Sequence, residues 1–443
     1  MPTSQMNDAT HLSNVLVVGG GGREHALCWK LAQSPKIAKI YCAPGNGGTA
    51  LEERVENVDI AVDQFDKLIE FARAKNIGLT VVGPDNPLSD GIVDLFQAAN
   101  LRVFGPTREA ARLEWSKAFA KEFMSEVGIP TPRFLVCDSF QQASDAVRSH
   151  NWVRVIKADG LALGKGVFVC DSEEECHQAL DEIFNKKAFG AAGEKVLLEE
   201  RISGFEISLL MFCDGKELVP MLPSQDHKRR FEDDKGPNTG GMGVYAPMPD
   251  YGRYKSEIEL TIVEPLRAAL ASGKLSYRGI IYAGIIYGAS VDAKPCAQVL
   301  EFNARFGDPE TQALMPLLDS DLFEILFACT DGTLSQVPIR WSADSSCCVV
   351  AAAKNYPESS SKGKHITLAE LPPKAVVFHA GTKLSATSEL QSNGGRVLAV
   401  TAVRETLKEA REASYNALQS VNFEDMDYRR DIARRALEQC LST

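Results

Sequence analysis

The stretch AQVLEFNARFGDPETQ (297–312) holds the densest chemistry in the chain. Read as a strand, it places Glu301 and Asn303 at i and i+2, on one face, while Leu300 and Phe302 turn into a core. A carboxylate beside an amide oxygen makes a hard-cation site, suited to a Mg²⁺ that carries phosphates. Arg305 follows on the same face if the strand continues.

A second stretch, VIKADGLALGKGVFV (155–169), reads as a strand with Lys157, a glycine-rich hairpin with Gly164 and Lys165, and another strand. Such a hairpin can fold over a triphosphate through backbone N–H groups, with both lysines on the phosphates. Taken alone it reads equally as an ordinary hairpin with solvated lysines. Between the two lies SQDHKRRFEDDKGPNTGGMGVY (224–245). Asp226, His227, Lys228 and Arg229 combine an acid with several donors, and the loop through Asn238 and Gly240 can approach a ligand closely. His227 by itself reads as a structural histidine. No H-x-x-x-H or Cys/His cluster supports zinc. The phosphate loop G-x-x-x-x-G-K-[ST] and the hydrolase elbow G-x-S-x-G are both missing.

NVLVVGGGGREHAL (14–27) is an apolar run that meets four glycines and opens a helix, the usual setting for a phosphate. The dinucleotide fingerprint fails on both counts. Its third glycine falls on Glu24 or His25, and the second strand ends in Ala43-Pro44-Gly45-Asn46, without an acid. What remains is an anion site at a helix N-terminus, made by Gly20, Gly21 and Gly22 with Arg23 as a charged fork. A small sugar phosphate suits it better than a dinucleotide. Asn46 and Asp85 end neighbouring strands and line the same crevice.

The elements that position these groups follow a pattern. VLVVGG, IAKIYCA, LTVVGP and RVFGP alternate with helical stretches at 24–34 and 63–75, which is the rhythm of a parallel α/β sheet. WSKAFAKEFMSEVGIP is a helix stopped by Gly128 and Pro130, and four short strands follow it. Residues 205–335 are richer in β-structure. The last module has short strands and a long amphipathic C-terminal helix, and ESSSKGK (358–364) reads as a mobile loop. The expected divisions are a disordered leader (1–13), an N-terminal α/β domain (14–113), a lid region (114–204), a central domain (205–335) and a C-terminal domain (336–443).

The chain has 443 residues, 44% of them hydrophobic and 24% charged, with a net charge of −11. An acidic surface argues against general nucleic-acid binding, which needs Lys and Arg on phosphates. No apolar run reaches the roughly 18 residues of a membrane helix. Eleven scattered cysteines fit reduced thiols in the cytoplasm.

GGGGREHAL, PGNGGTA, KADGLALGKGV, SQDHKR, GPNTGGMG, EFNARFGDPETQ and FHAGT, in this order, resemble the phosphoribosylamine–glycine ligases, or glycinamide ribonucleotide synthetases. The resemblance runs from about residue 14 to the C-terminus. It implies a multidomain α/β and α+β architecture of ATP-grasp type, with ATP and Mg²⁺ or Mn²⁺. The substrates it implies are glycine and 5-phosphoribosylamine, joined through glycyl phosphate. It also implies that Gly20–Gly22 hold the sugar 5-phosphate. Lys117, Lys157 and Lys228 would face the nucleotide phosphates. In LEERI, Glu199 would accept from the adenine amino group, with the Glu200 to Ile202 backbone on the ring edge. Glu206 would take the ribose hydroxyls. Arg305 is expected on a carboxylate or phosphate, and Asp226 on the glycine ammonium. Another ATP-grasp carboxylate–amine ligase of purine metabolism is the alternative. A monomer or weak homodimer is expected. Three features depart from the pattern: IIYAGIIYG lacks a third acidic metal ligand, Phe205 stands where an acid is expected, and RFEDDK (230–235) is unusually charged.

Overall fold

The computed structural model describes residues 12–161, 166–290 and 293–440. Its first sheet is parallel, with strands in the order 55–57, 37–44, 13–19, 77–82 and 103–104. Val15 to Val18 in the central strand are fully buried, as a sheet covered on both faces requires. Val18 pairs with both Ala43 and Val82, so Gly19, Pro44 and Gly83 leave the sheet at one edge. The helix Gly22–Leu31 starts from that edge. The three-residue strand Val55–Asn57 is too short to show a period of two in the sequence. Of the expected leader, residues 1–11 lie outside the described residues. Ser13 already belongs to the first strand, its N–H donating to Lys36 O at 2.8 Å.

The helix Lys117–Val127 begins where Ser116 accepts from the Phe119 N–H, and ends at Gly128 in the left-handed region. An antiparallel sheet follows, ordered 134–137, 196–200, 153–158 and 167–169, over a small core of its own that includes Cys137, Val147, Ile156 and Leu198. Lys157 pairs with Val167, which sets the base of the expected hairpin. Its tip, with Gly164 and Lys165, lies outside the described residues.

The central antiparallel sheet is ordered 218–220, 203–213, 279–289 and 296–303. Glu301 pairs with Gly284 and Val299 with Ile285, which leaves Leu300 as an extra residue in a bulge. The simple alternation therefore breaks: Val299 and Phe302 fill the core, and Leu300 is only half-buried. Glu301 and Asn303 still share a face.

The last sheet is ordered 225–226, 243–246, 345–353, 396–404 and 375–379, with 426–427 also on 345–353. The SQDHKR and GMGVY strands thus leave the central block and join the C-terminal module. The chain does not end in one long helix. Helix Leu407–Leu418 is followed by two short strands and helix Arg434–Cys440, because Asp425 turns the chain with φ +65°. The 358–364 segment is tied at its end, with Gly363 N donating to Ser392 O at 2.7 Å and Lys364 paired with Glu424. Among the described residues no helix is long and apolar enough to cross a membrane.

Candidate active site

Glu301 gathers cations. Burial opposes its ionisation, yet Lys228, Lys157, Lys117 and Arg305 together hold its carboxyl below the usual range. Lys228 Nζ lies 2.9 Å from Glu206 and 4.0 Å from Glu301. Lys117 reaches Gly160 O at 2.7 Å, and burial pushes its ammonium down while Glu301 supports it. Asn303 Oδ1 accepts from Arg305 at 3.0 Å, and the same guanidinium meets Glu114 at 3.1 Å. Glu114 also accepts the Ala304 N–H at 2.8 Å. Arg305 Nε is buried and has no hydrogen-bond partner among the described residues. No cluster of three carboxylate, imidazole or thiol groups able to hold a metal occurs among the described residues. Glu301 and Asn303 therefore suit a cation whose other ligands are phosphate oxygens and water.

Deeper in, Glu199 sits between two lysines, 2.8 Å from Lys157 and 3.2 Å from Lys121. Its Oε1 lacks a hydrogen bond among the described residues. Burial pushes Lys121 down to about 8 although Glu199 supports its charge. Glu200 has other partners: its carboxylate accepts the Arg133 N–H at 2.8 Å, and its own N–H donates to Arg133 O. Ile202 is half-buried where the chain passes between two sheets.

At the parallel-sheet edge, Glu24 fills the space that the glycines leave. Its carboxylate accepts the Gly21 N–H and the Arg23 Nε–H, each at 2.6 Å. A Cβ on Gly83 would stand 2.0 Å from Glu24 Oε1, and one on Gly19 2.5 Å from its Cγ. Of the glycines expected to hold a phosphate, Gly21 already gives its amide to Glu24, because a Glu at the third helical position reaches back to the N-cap. Arg23 also braces Phe306 O at 3.1 Å. Asn46 donates to the carbonyls of Gly20 and His379 and accepts from Gly48 and Thr49, so its side chain organises the loop. Asp308 faces the same turn, 3.5 Å from a Cβ placed on Gly21 and 3.2 Å from Arg396. Despite burial, Arg396 and Arg23 hold its carboxyl low. Asp85 accepts from Asn86 and adds negative charge near Arg305.

The chain matches the phosphoribosylglycinamide synthetase N domain over residues 13–114, the ATP-grasp (A) domain over 115–311 and the C domain over 346–435. It belongs to the phosphoribosylglycinamide synthetase family. A Neisseria meningitidis phosphoribosylamine–glycine ligase is 44% identical over 431 residues, covering 96% of this chain and 100% of its own. A Nostoc sp. protein of the same name is 46% identical over 427 residues, covering 95% and 99%. The solved Thermotoga maritima phosphoribosylamine–glycine ligase aligns with a TM-score of 0.78 at 33% identity, over 95% of this chain and 100% of that one. The biotin carboxylase domain of Hydrogenobacter thermophilus 2-oxoglutarate carboxylase, solved with MgADP, shares the fold: TM-score 0.71 at 15% identity, over 95% and 92%.

Within this family frame the remaining residues find places. Asp226 is pushed up by burial and by Glu310, against the pull of Lys228 and Arg396, so a cationic ligand beside it would favour its charged form. Glu310 accepts from Ser208 and Tyr282 at 3.0 and 2.7 Å. His227 is structural: Nδ1 meets Gly243 O, Nε2 accepts the Ala433 N–H, and burial lowers the ring to about 4. Asn238 is exposed, paired opposite Arg229 on a two-stranded ribbon. Gly240 donates to the Tyr356 hydroxyl and accepts from Arg396 at 2.5 Å. Phe205 packs with Tyr254 and Tyr287. The charges of RFEDDK are a clamp: Arg230 holds Asp427, Arg429 and Arg435 hold Asp234, and Arg434 holds Asp233. Glu24, Glu114, Lys121, Asp308, Glu310 and Arg396 were not singled out by sequence. Glu24, Asp308 and Glu310 lay inside recognised motifs as acids without an assigned partner; Arg396 had no local signal.

Proposed function

We propose that this chain joins glycine to 5-phosphoribosylamine at the expense of ATP, giving glycinamide ribonucleotide, ADP and phosphate through glycyl phosphate. It is an ATP-dependent carbon–nitrogen ligase of purine biosynthesis. The observation that carries the site reading is the convergence of Lys117, Lys157, Lys228 and Arg305 on Glu301. Phosphoryl transfer needs positioned positive charge more than a protein nucleophile. Glu301 and Asn303 would hold Mg²⁺ or Mn²⁺, which supplies further charge neutralisation on the phosphates.

Two buried groups with unused hydrogen-bonding capacity support ligands on either side of that cluster. Glu199 Oε1, which meets only the Lys121 ammonium at 3.2 Å, keeps acceptor capacity that fits the adenine amino group. Arg305 Nε, a donor without an acceptor, fits an anionic oxygen of glycine or of its phosphate. Lys117, Lys157 and the hairpin with Gly164 and Lys165 would cover the phosphates, with Glu200 and Ile202 at the base and Glu206 at the ribose. Asp226 would face the glycine ammonium. Gly20, Gly22 and Arg23 would receive the sugar phosphate, with Gly21 and Asn46 shaping the turn and Asp85, Asn238 and Gly240 along the crevice. Excluding water from this cleft protects an acyl phosphate from hydrolysis. We place the enzyme in the cytoplasm as a monomer or weak homodimer.

The test is ADP release by the purified chain with Mg²⁺, ATP, glycine and fresh phosphoribosylamine, each omitted in turn. Turnover that needs all four supports the reading. Turnover with a different amine, and none with phosphoribosylamine, moves the chain to another carboxylate–amine ligation.

A further inference from the structure

Glu199 is 1% exposed and faces two lysines. One carboxylate needs only one counter-ion, so the second lysine calls for an explanation. Lys121 is itself 2% exposed. Its Nζ donates to Thr131 Oγ1 at 2.6 Å, and Thr131 Oγ1 donates to Val299 O at 2.7 Å, on the strand that carries Glu301. Lys121 is thus fixed from behind, with its Nζ 3.2 Å from Glu199 Oε1. Lys157, the other partner, also adds to the field at Glu301 and Lys117, so it belongs to the phosphate side as well.

We propose that Lys121 is a specificity-determining positioning residue: tied to Thr131, it holds the Glu199 carboxylate toward the base while Lys157 serves the phosphates, so that Glu199 takes the amino group of adenine and rejects the carbonyl of guanine. The inference rests on the reading that Glu199 faces the base. An ionised carboxylate only accepts hydrogen bonds, and meets the guanine carbonyl as acceptor against acceptor. Without Lys121 the carboxylate is free to turn wholly onto Lys157, which lies 2.8 Å away. Turned away from the base, it no longer separates adenine from guanine.

The experiment compares kcat/KM for ATP and for GTP at saturating glycine and phosphoribosylamine in the wild type, Lys121→Met, Thr131→Val and Glu199→Gln. Lys121→Met keeps the length of the apolar stem and removes the charge. Its ATP-to-GTP ratio is expected to fall roughly ten- to a hundredfold, the range of one hydrogen bond to a charged group, with most of the change in KM. Thr131→Val loosens Lys121 without removing it and should lower the ratio several-fold. It also stands in if Lys121→Met does not fold. A lost ratio in Glu199→Gln with an unchanged ratio in folded Lys121→Met, or in Thr131→Val when it stands in, overturns the inference. An unchanged ratio in Glu199→Gln removes the base-facing reading itself, and the inference with it.

Discussion

Gly83→Ala has the sharpest expected consequence. The new Cβ would lie 2.0 Å from Glu24 Oε1 and 2.6 Å from its Cδ, far inside contact distance. Gly19 is packed as closely against the same side chain, 2.5 Å from its Cγ to a Cβ placed there, so Glu24 has little room to shift. To make room, Glu24 must give up the Gly21 N–H and the Arg23 Nε–H, both at 2.6 Å. Two hydrogen bonds to a charged group amount to about 3–6 kcal/mol, and breaking a buried ion pair costs about 3–5 kcal/mol, so the two routes agree. Each kcal/mol moves the melting midpoint of a sizeable domain by about 2–4 °C, giving a loss on the order of 10 °C. Gly252→Ala is the control: a Cβ there meets nothing within 4 Å, and the expected change is within about 0.5 kcal/mol. Calorimetry on both variants checks the difference, and a Gly83→Ala chain that melts with the control refutes the packing argument. In the enzyme assay the KM for phosphoribosylamine should rise while that for ATP stays close to wild type. Equal damage to both would undo the separation of the two sites.

Glu301→Gln should abolish Mg²⁺-dependent turnover in a chain that still folds; global unfolding would count against the assignment. Arg429→Met should cost about 3–5 kcal/mol, read by thermal melting, because the buried guanidinium holds Asp431, Asp234 and the Arg229 carbonyl. Acid should destabilise the chain before its carboxylates titrate. Burial lowers His227 to about 4 and His379 to about 3 in the fold, with the charges of Arg429 and His25 adding to the respective shifts. Below about pH 6.5 the unfolded chain takes up protons that the folded chain refuses. Stability is therefore complete above that pH and falls toward pH 4, by about 4 kcal/mol for the two together at pH 5. Equal melting temperatures at pH 7 and pH 5 would refute this.

Much of the site was legible because its groups sit in short, ordered motifs. Glu301 and Asn303 could be placed on one face from a period of two, and the bulge at Leu300 changes the core contact without moving them off that face. The failed dinucleotide fingerprint at Glu24 was visible; that this residue's carboxylate occupies the turn was not, since nothing local says where a side chain folds back. Lys121 reads as one more polar residue of an amphipathic helix, and only the sheet packed on that helix makes it a partner of Glu199. RFEDDK had no explanation in its own neighbourhood because its partners lie some two hundred positions later.

That difference between local and distant partners divides the site physically. The groups around the proposed base, Lys121, Lys157 and Glu199, come from one stretch of the chain, with Thr131 anchoring them to the central sheet. The proposed sugar-phosphate end is assembled from remote segments. Asp308 at the end of the central sheet faces Gly21 of the first domain, and Arg396 of the last sheet binds Asp308 and the carbonyl of Gly240. Asn46 joins the first domain to His379 of the last. On the proposed assignment, the C-terminal module gives the chemistry few reacting groups but would fix where the acceptor amine stands. A chain lacking it would keep the lysine and carboxylate cluster for ATP and lose the frame for the sugar. Truncation before residue 345 should therefore abolish ligation, and any such fragment that still folds should retain ATP binding.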